Sequence, residues 1–173
     1  MSLPVSIKQT SRLTGNFLLR SGQYSHTYFD KYRFEADPLL LRHIATALLP
    51  LIPDDTQVLA GLELGGIPIV TVLSQLTGLP TAFIRKEAKP YGTCRYAEGA
   101  ELKGKRFVLI EDVVSSGGAI LDAIKLLSED NLTVGDAICV IDRETGGRAA
   151  LEAVGVTLHA LYTMADIENA HAA

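Results

Sequence analysis

The chain has 173 residues, 47% of them hydrophobic and 21% charged, with a formal net charge of −4. That size and balance fit one soluble globular domain with a substantial core and exclude a disordered chain. The mild negative charge excludes general affinity for nucleic acid, so any phosphate chemistry has to come from local basic groups.

Taken in chain order, Pro4 to Leu13 reads as a short helix that Gly15 breaks. Asn16 to Leu19 follows as a strand, Ser21-Gly22 as a turn, and Thr27 to Tyr32 as a second strand rich in aromatic and β-branched residues. Asp37-Pro38 starts a clear helix, with Asp37 as N-cap and Pro38 in the first position. Leu40, Leu41, Ile44, Ala45, Leu48 and Leu49 share one face of it at helical spacing, and Pro50 and Pro53 end it. Val58 to Leu62 is a short apolar strand. Gly65-Gly66 opens the next loop, and Ile67 to Leu76 is a helix stopped by Gly78. Thr81 to Ile84 is a strand. Residues 85–104 are polar, charged and glycine-punctuated, a long loop of the kind that is usually functional. A strand from Phe107 to Ile110 follows, ending in the acids Glu111 and Asp112, then a small-residue loop and a helix to about Ser128. Val134 to Ile141 is another strand, Gly146 to Ala153 a short helix, Val156 to Tyr162 a last strand, and Met164 onward a terminal helix. Strand-helix alternation of this kind builds a parallel α/β sheet with right-handed crossovers.

The stretch Arg106 to Ile120, RFVLIEDVVSSGGAI, carries the densest chemistry. Its apolar run suits a strand covered on both faces. Ser115 to Gly118 let backbone N–H groups approach an anion, and the following helix adds its positive N-terminal end. Adjacent carboxylates suit sugar hydroxyls or the water shell of a Mg²⁺. Earlier, Leu64 to Gly66 offer close backbone approach ahead of a helix N-terminus, with Glu63 placed to assist metal hydration. The long loop holds Arg85, Lys86 and Lys89 within five residues, with Arg95 beyond, the charge density a diphosphate needs. After a later strand, Arg143 offers a fork of donors that suits a carboxylate.

These segments, in the order LLRSGQYSHTYFDKY, GLELGGIPI, FIRKEAKPYGTCRYAEG, the Arg106–Ile120 stretch and DRETGG, resemble the type I phosphoribosyltransferases, and within them the orotate branch. The resemblance covers about Gly15 to Gly147. It implies a single phosphoribosyltransferase domain over 1–173. A central, mainly parallel sheet would be flanked by helices, with a small β-containing hood over about 1–36 and a mobile active-site loop at 85–104. It also implies transfer of a phosphoribosyl group from 5-phosphoribosyl 1-diphosphate to orotate.

On that resemblance, Arg20, Leu64, Gly65, Arg85, Lys86, Lys89, Tyr91, Glu111, Asp112 and the run Val113, Val114, Ser115, Ser116, Gly117, Gly118 and Ala119 bind the donor. Tyr28, Phe29, Ser115 and Arg143 bind orotate, and Lys89, Glu111 and Asp112 serve the transfer. Mg²⁺ is the implied cofactor, held mainly through substrate and water with no direct protein ligand. A homodimer sharing its loops across subunits is implied as well, with neither nucleic acid nor membrane as partner. Tyr91 stands where the family's loop often has His, and a phenol stays neutral near pH 7. Arg20 stands where the family usually has Lys. A phosphoribosyltransferase for another pyrimidine or a purine stays open as an alternative, as does a non-catalytic sensor of the donor.

No run of about 18 apolar residues marks a membrane span, and Met1 to Thr10 lacks the layout of a secretory signal. The two cysteines, Cys94 in a polar loop and Cys139 in an apolar strand, make no disulfide framework. Reduced thiols and a cytoplasmic setting are expected.

Overall fold

A computed structural model describes residues 1–18, 22–88 and 96–171. The chain opens with helix α1, Leu3–Ser11, and a two-stranded antiparallel sheet of β1, Arg12–Leu18, and β2, Tyr24–Phe29. The first strand thus begins earlier than its sequence suggests. Gly15 lies inside it, where the register shifts between Thr14 and Phe17, and a bulge there absorbs the glycine that reads as a helix breaker. The second strand also ends sooner. Lys31–Ala36 form a short helix, α2, which the aromatic run hides; Asp30 caps it by accepting the Tyr32 N–H.

Helix α3, Pro38–Leu48, starts as expected: the Asp37 carboxylate accepts from the N–H groups of Leu39 and Leu40, and Pro38 takes the first turn. Leu40, Leu41, Ile44, Ala45 and Leu48 are buried, while Leu49 begins a single 3₁₀ turn, Leu49–Leu51.

The main sheet has six strands. In chain order they are β3, Val58–Leu62; β4, Thr81–Ile84; β5, Ala97–Gly99; β6, Phe107–Val114; β7, Asp136–Asp142; and β8, Thr157–Thr163. Their spatial order is β5-β4-β3-β6-β7-β8. All neighbours run parallel except β5, which pairs antiparallel with β4. The expectation of one uninterrupted loop over 85–104 is therefore corrected: its far end returns to the sheet edge as three residues of strand. Between the strands lie α4, Gly66–Thr77; α5, Gly118–Glu129; and α6, Gly147–Glu152; α7, Met164–Asn169, closes the chain. Gly78 stops α4 in the left-handed conformation.

Alternation along β6 splits the core. Phe107 and Leu109 pack with α5 residues Ile120, Ala123 and Leu127. Val108 and Ile110 pack with α3 and α4. One further difference shapes the site. The strand does not end at Ile110 but runs through Glu111 and Asp112 to Val114, so the two acids point to opposite faces of the sheet.

Candidate functional site

Strand order reverses between β3 and β6: β4 lies on one side of β3, and β6 with β7 on the other. In open parallel sheets the carboxyl ends at such a switch point part to leave a crevice. Two loops meet there. One, Glu63–Gly65, leads from β3 into α4, and the other, Ser115–Gly117, leads from β6 into α5.

A cleft of about 640 Å³ opens above them. One wall is the turn from Val113 through Ala119, continuing into α5; another carries Arg85, Lys86 and Glu87 from the end of β4, with Glu63 and Glu111 between. Gly117 takes a φ of +79° to turn the strand into the helix, and no side chain caps α5. Its first N–H groups therefore face the cleft without an internal acceptor, the arrangement that suits a phosphate. Arg85 Nε is buried with no hydrogen-bond partner among the described residues, and the Glu63 carboxylate accepts the Lys86 N–H at 2.8 Å. Carboxylate and guanidinium thus line one opening, able to take a group with phosphates at both ends and hydroxyls in the middle.

The structure places Arg85, Lys86, Glu111, Val113, Val114, Ser115, Ser116, Gly117, Gly118 and Ala119 in the cleft wall. Leu64 is 62% exposed on the loop beside it. Gly65 and Gly66 are both closely packed. A Cβ at Gly65 would come 1.7 Å from Asp112 Oδ2, and one at Gly66 would come 2.2 Å from the Ile110 carbonyl. Arg143 follows β7. Its N–H donates to the Val114 carbonyl at 2.8 Å, and Gly147 N–H donates to the Ser115 carbonyl at 2.9 Å, so the DRETGG segment is sewn to the turn between β6 and α5. Tyr28 is exposed and stacks obliquely on Phe17, ring centroids 5.5 Å apart. Phe29 packs into the core instead, as alternation along a strand requires. Arg20, Lys89 and Tyr91 lie outside the described residues.

The two acids have different surroundings. Glu111 meets the cleft and Asp112 does not: Asp112 is wholly buried on the other face, where Lys31 Nζ lies 2.6 Å and 2.9 Å from its two oxygens. Glu35, buried on α2, joins them. Lys31 and Glu35 carry little signal in the sequence: only their spacing of four, which is informative once the segment is known to be helical. Burial, and then the bond to Asp112, pushes the Glu35 carboxyl up to about 9. Burial, and then the Asp112 charge, pushes Glu111 up to about 8. Burial opposes ionisation of Asp112 too, but hydrogen bonds from Glu35, Glu111 and Lys31 outweigh it and hold its carboxyl below the usual range.

This has a consequence for stability. The fold holds protons on Glu35 and Glu111 that the unfolded chain releases near 4.5. The stability they confer is full below that value and is lost as pH rises through about 8 to 9. Asp112 acts in the opposite sense, but only on the acid side of 3.8. The melting temperature is expected to fall between pH 5 and pH 9, and Glu35→Gln to flatten that fall. A melting curve series with the same slope in parent and variant would remove the buried Glu35 proton from the account.

The fold and the cleft define a phosphoribosyl-transferring class of domain, and a family model described as the phosphoribosyl transferase domain matches residues 33–156. Among curated proteins, an orotate phosphoribosyltransferase of a Nocardioides species is 47% identical over 172 residues, covering 99% of this chain and 96% of that one. One from Methanocella arvoryzae is 41% identical, covering 93% of each. Among solved structures, Mycobacterium tuberculosis H37Rv orotate phosphoribosyltransferase in complex with 5-phospho-alpha-D-ribosyl 1-diphosphate superposes with a TM-score of 0.81 at 26% identity, over 96% of both chains. The chain belongs to the orotate phosphoribosyltransferase family, and it is an enzyme of the pentosyl-transferring type.

Proposed function

We propose that this chain transfers the 5-phosphoribosyl group of 5-phosphoribosyl 1-diphosphate to orotate in pyrimidine nucleotide synthesis. Orotate N1 bonds to the ribosyl carbon as diphosphate leaves with the bonding electrons, and the N1 proton is released to the departing diphosphate or to water, giving orotidine 5′-phosphate. The observation that carries this reading is a single cleft with an uncapped helix N-terminus on one wall and Arg85 and Lys86 on the other. The turn Ser115–Ala119 takes the 5′-phosphate through backbone N–H groups. Arg85 and Lys86, joined by Lys89, draw off the charge that develops on the leaving diphosphate. Glu111 meets the ribose hydroxyls from the cleft. Asp112, buried on the opposite face against Lys31, packs under Gly65 and takes no place in the cleft wall. Arg143 and Tyr28 orient the base, and no covalent nucleophile is called for.

Among the described residues no group of three or more His, Cys, Asp or Glu side chains is arranged to hold a metal. Glu63 lines the cleft, and a carboxylate there fits the water shell of a Mg²⁺ carried on the donor's phosphate oxygens. When bound, that ion would neutralise leaving charge. Two copies of the chain sharing their 85–104 loops, at work in the cytoplasm, complete the proposal. Among the described residues no helix is long and apolar enough to cross a membrane.

Diphosphate release measured with orotate, uracil, adenine and hypoxanthine tests the reading. Release that depends on orotate alone is expected. Release with uracil or a purine instead would replace the base assignment, and tight donor binding without turnover on any base would mark a sensor.

A further inference from the structure

Antiparallel pairing of Ile84 with Ala97 brings the end of β4 and the start of β5 together. One residue beyond that pair, the Arg85 N–H donates to the Tyr96 carbonyl at 2.7 Å. Arg85 and Lys86 then enter the cleft wall, where the Glu63 carboxylate accepts the Lys86 N–H. Tyr96 does not line the cleft. Its ring packs against the core cluster that holds Ile120, Ala123 and Leu127 of α5, and its hydroxyl donates to Asp130 Oδ2 at 2.8 Å. Asp130 closes α5, the helix whose other end is the uncapped N-terminus in the other wall.

Local chemistry does not ask for this pair. A carboxylate at the C-terminal end of a helix opposes the macrodipole, and a phenylalanine would fill the apolar space beside α5 with no hydroxyl to satisfy. Burial, and then the bond to Asp130, push the Tyr96 phenol up from its ordinary value, so it stays a donor. The root of the basic segment is also weakly held without the bond. Strand β5 has three residues and lies at the sheet edge, and an element with so few contacts opens locally at low cost. Through Tyr96 and Asp130, α5 spans the site. Its first turn offers N–H groups to one phosphate, and its last turn fastens the segment that offers Arg85 and Lys86 to the other.

We propose that Tyr96 and Asp130 are positioning residues for the donor. The bond from the Tyr96 hydroxyl to Asp130 ties the bonded Arg85 and Tyr96 backbones to α5, and so sets how far Arg85 and Lys86 stand from the α5 N-terminus. The inference rests on the reading of this cleft as the site of 5-phosphoribosyl 1-diphosphate. A ligand with phosphates at both ends has to meet both walls at once. Orotidine 5′-phosphate, with phosphate at one end, needs only the α5 turn of the two. When the tie is cut, the root samples positions from which Arg85 and Lys86 miss the diphosphate. Donor affinity then falls in proportion to the fraction of time they are in place, and affinity for orotidine 5′-phosphate is kept.

The experiment is isothermal titration of 5-phosphoribosyl 1-diphosphate with Mg²⁺, and separately of orotidine 5′-phosphate, into full-length protein. The variants are Tyr96→Phe, Asp130→Ala, Asp130→Asn, the double variant of Tyr96→Phe with Asp130→Ala, and Arg85→Ala, each with its melting temperature. Tyr96→Phe and Asp130→Ala are each expected to raise the donor Kd about fivefold and to hold the Kd for orotidine 5′-phosphate within about twofold. The double variant is expected to match the singles, because all three lack the same bond. Asp130→Asn keeps an acceptor for the phenol and recovers most of the donor affinity. Parental donor affinity in folded Tyr96→Phe would overturn the proposal. Equal losses for both ligands would overturn it too, as would a double variant whose loss is the product of the two singles. Should Tyr96→Phe fail to fold, the Asp130 pair decides. A loss in Asp130→Ala that Asp130→Asn repairs supports the tie; parental affinity in Asp130→Ala, or a loss that Asp130→Asn shares, overturns it. Arg85→Ala separates the two levels. If it weakens donor binding while Tyr96→Phe does not, only the tie falls. If Arg85→Ala binds the donor like the parent, the diphosphate does not meet this wall, and the inference falls with that reading.

Discussion

Gly65→Ala is expected to cost about 3 kcal/mol of stability, at the upper end of overpacking effects, and to weaken donor binding with it. The added Cβ would sit 1.7 Å from Asp112 Oδ2 and 2.3 Å from its Cγ. A flexible surface side chain could swing away; this one cannot. The Asp112 carboxylate is held by Lys31 and by the Val113 N–H that donates to Oδ1. Nor can the loop retreat. Gly66 follows at once, and its own α-carbon lies so close to the Ile110 carbonyl that a Cβ there would come 2.2 Å from that oxygen. Either the ion pair breaks or the turn into α4 lifts from β6, and both change the cleft wall between Glu63 and Glu111. For a chain of this size the stability cost corresponds to a drop of roughly 10 °C in melting temperature. Gly104→Ala is the comparison: it meets nothing within 4 Å, and its φ of 72° adds a backbone strain that Gly65, at φ −67°, does not face, so a larger loss at Gly65 reports the contact with Asp112. Calorimetry on the two variants, with isothermal titration of 5-phosphoribosyl 1-diphosphate, checks the expectation. Equal melting temperatures would mean that the Asp112 anchor is softer than its contacts imply.

Why this anchor was hidden in the sequence, while much of the scaffold was not, comes down to where local signals decide. Val58–Leu62 and Thr81–Ile84 were legible to the residue because short apolar runs between proline and glycine signals have few other fates. The Asp37-Pro38 start of α3 was legible because capping is local chemistry. The turn from β6 into α5 could be read because Ser115–Gly118 lie between an apolar run and a helix-forming one. The end of β6 was misread for the opposite reason. Two acids normally signal a strand leaving the core, and only a partner distant in sequence, Lys31, 81 residues away, makes Asp112 tolerable inside. That partner was itself disguised, since Lys31–Ala36 is aromatic enough to continue a strand and the helix shows only through its Asp30 cap. Ala97–Gly99 is too short to carry a period of two, and its pairing to β4 is a tertiary fact. The roles of Tyr28 and Phe29, equal in the sequence, were separated by the pleat: one faces outward and the other joins the core.

Arg143→Ala is expected to lower kcat/KM for orotate by about 10- to 150-fold, the span of a lost charge-assisted bond of about 1.5 to 3 kcal/mol, with donor affinity unchanged. The other use open to this guanidinium is an ion pair with a flanking acid, Asp142 or Glu144, and the structure engages both acids elsewhere. Asp142 is bound by Arg148, whose Nε and Nη2 each lie 3.2 Å from Oδ2, and accepts the Glu144 N–H through Oδ1. Glu144, turned to a φ of +57°, accepts from Ala165 N–H. Among the described residues Arg143 is left exposed and without an ion pair, while its own N–H is locked to Val114 in the phosphate turn. A rigid backbone with an unspent fork of donors suits recognition of a planar carboxylate. Arg143→Lys keeps the charge but not the fork, so it should recover only part of the loss. Uracil, which has no carboxylate, gains nothing from the fork, so its poor rate should be the same in parent and variant. An orotate response unchanged by Arg143→Ala would move base recognition to the hood. Tyr28, exposed beside Phe17, would then have to discriminate by stacking alone, and stacking cannot tell orotate from uracil, because both present the same ring face.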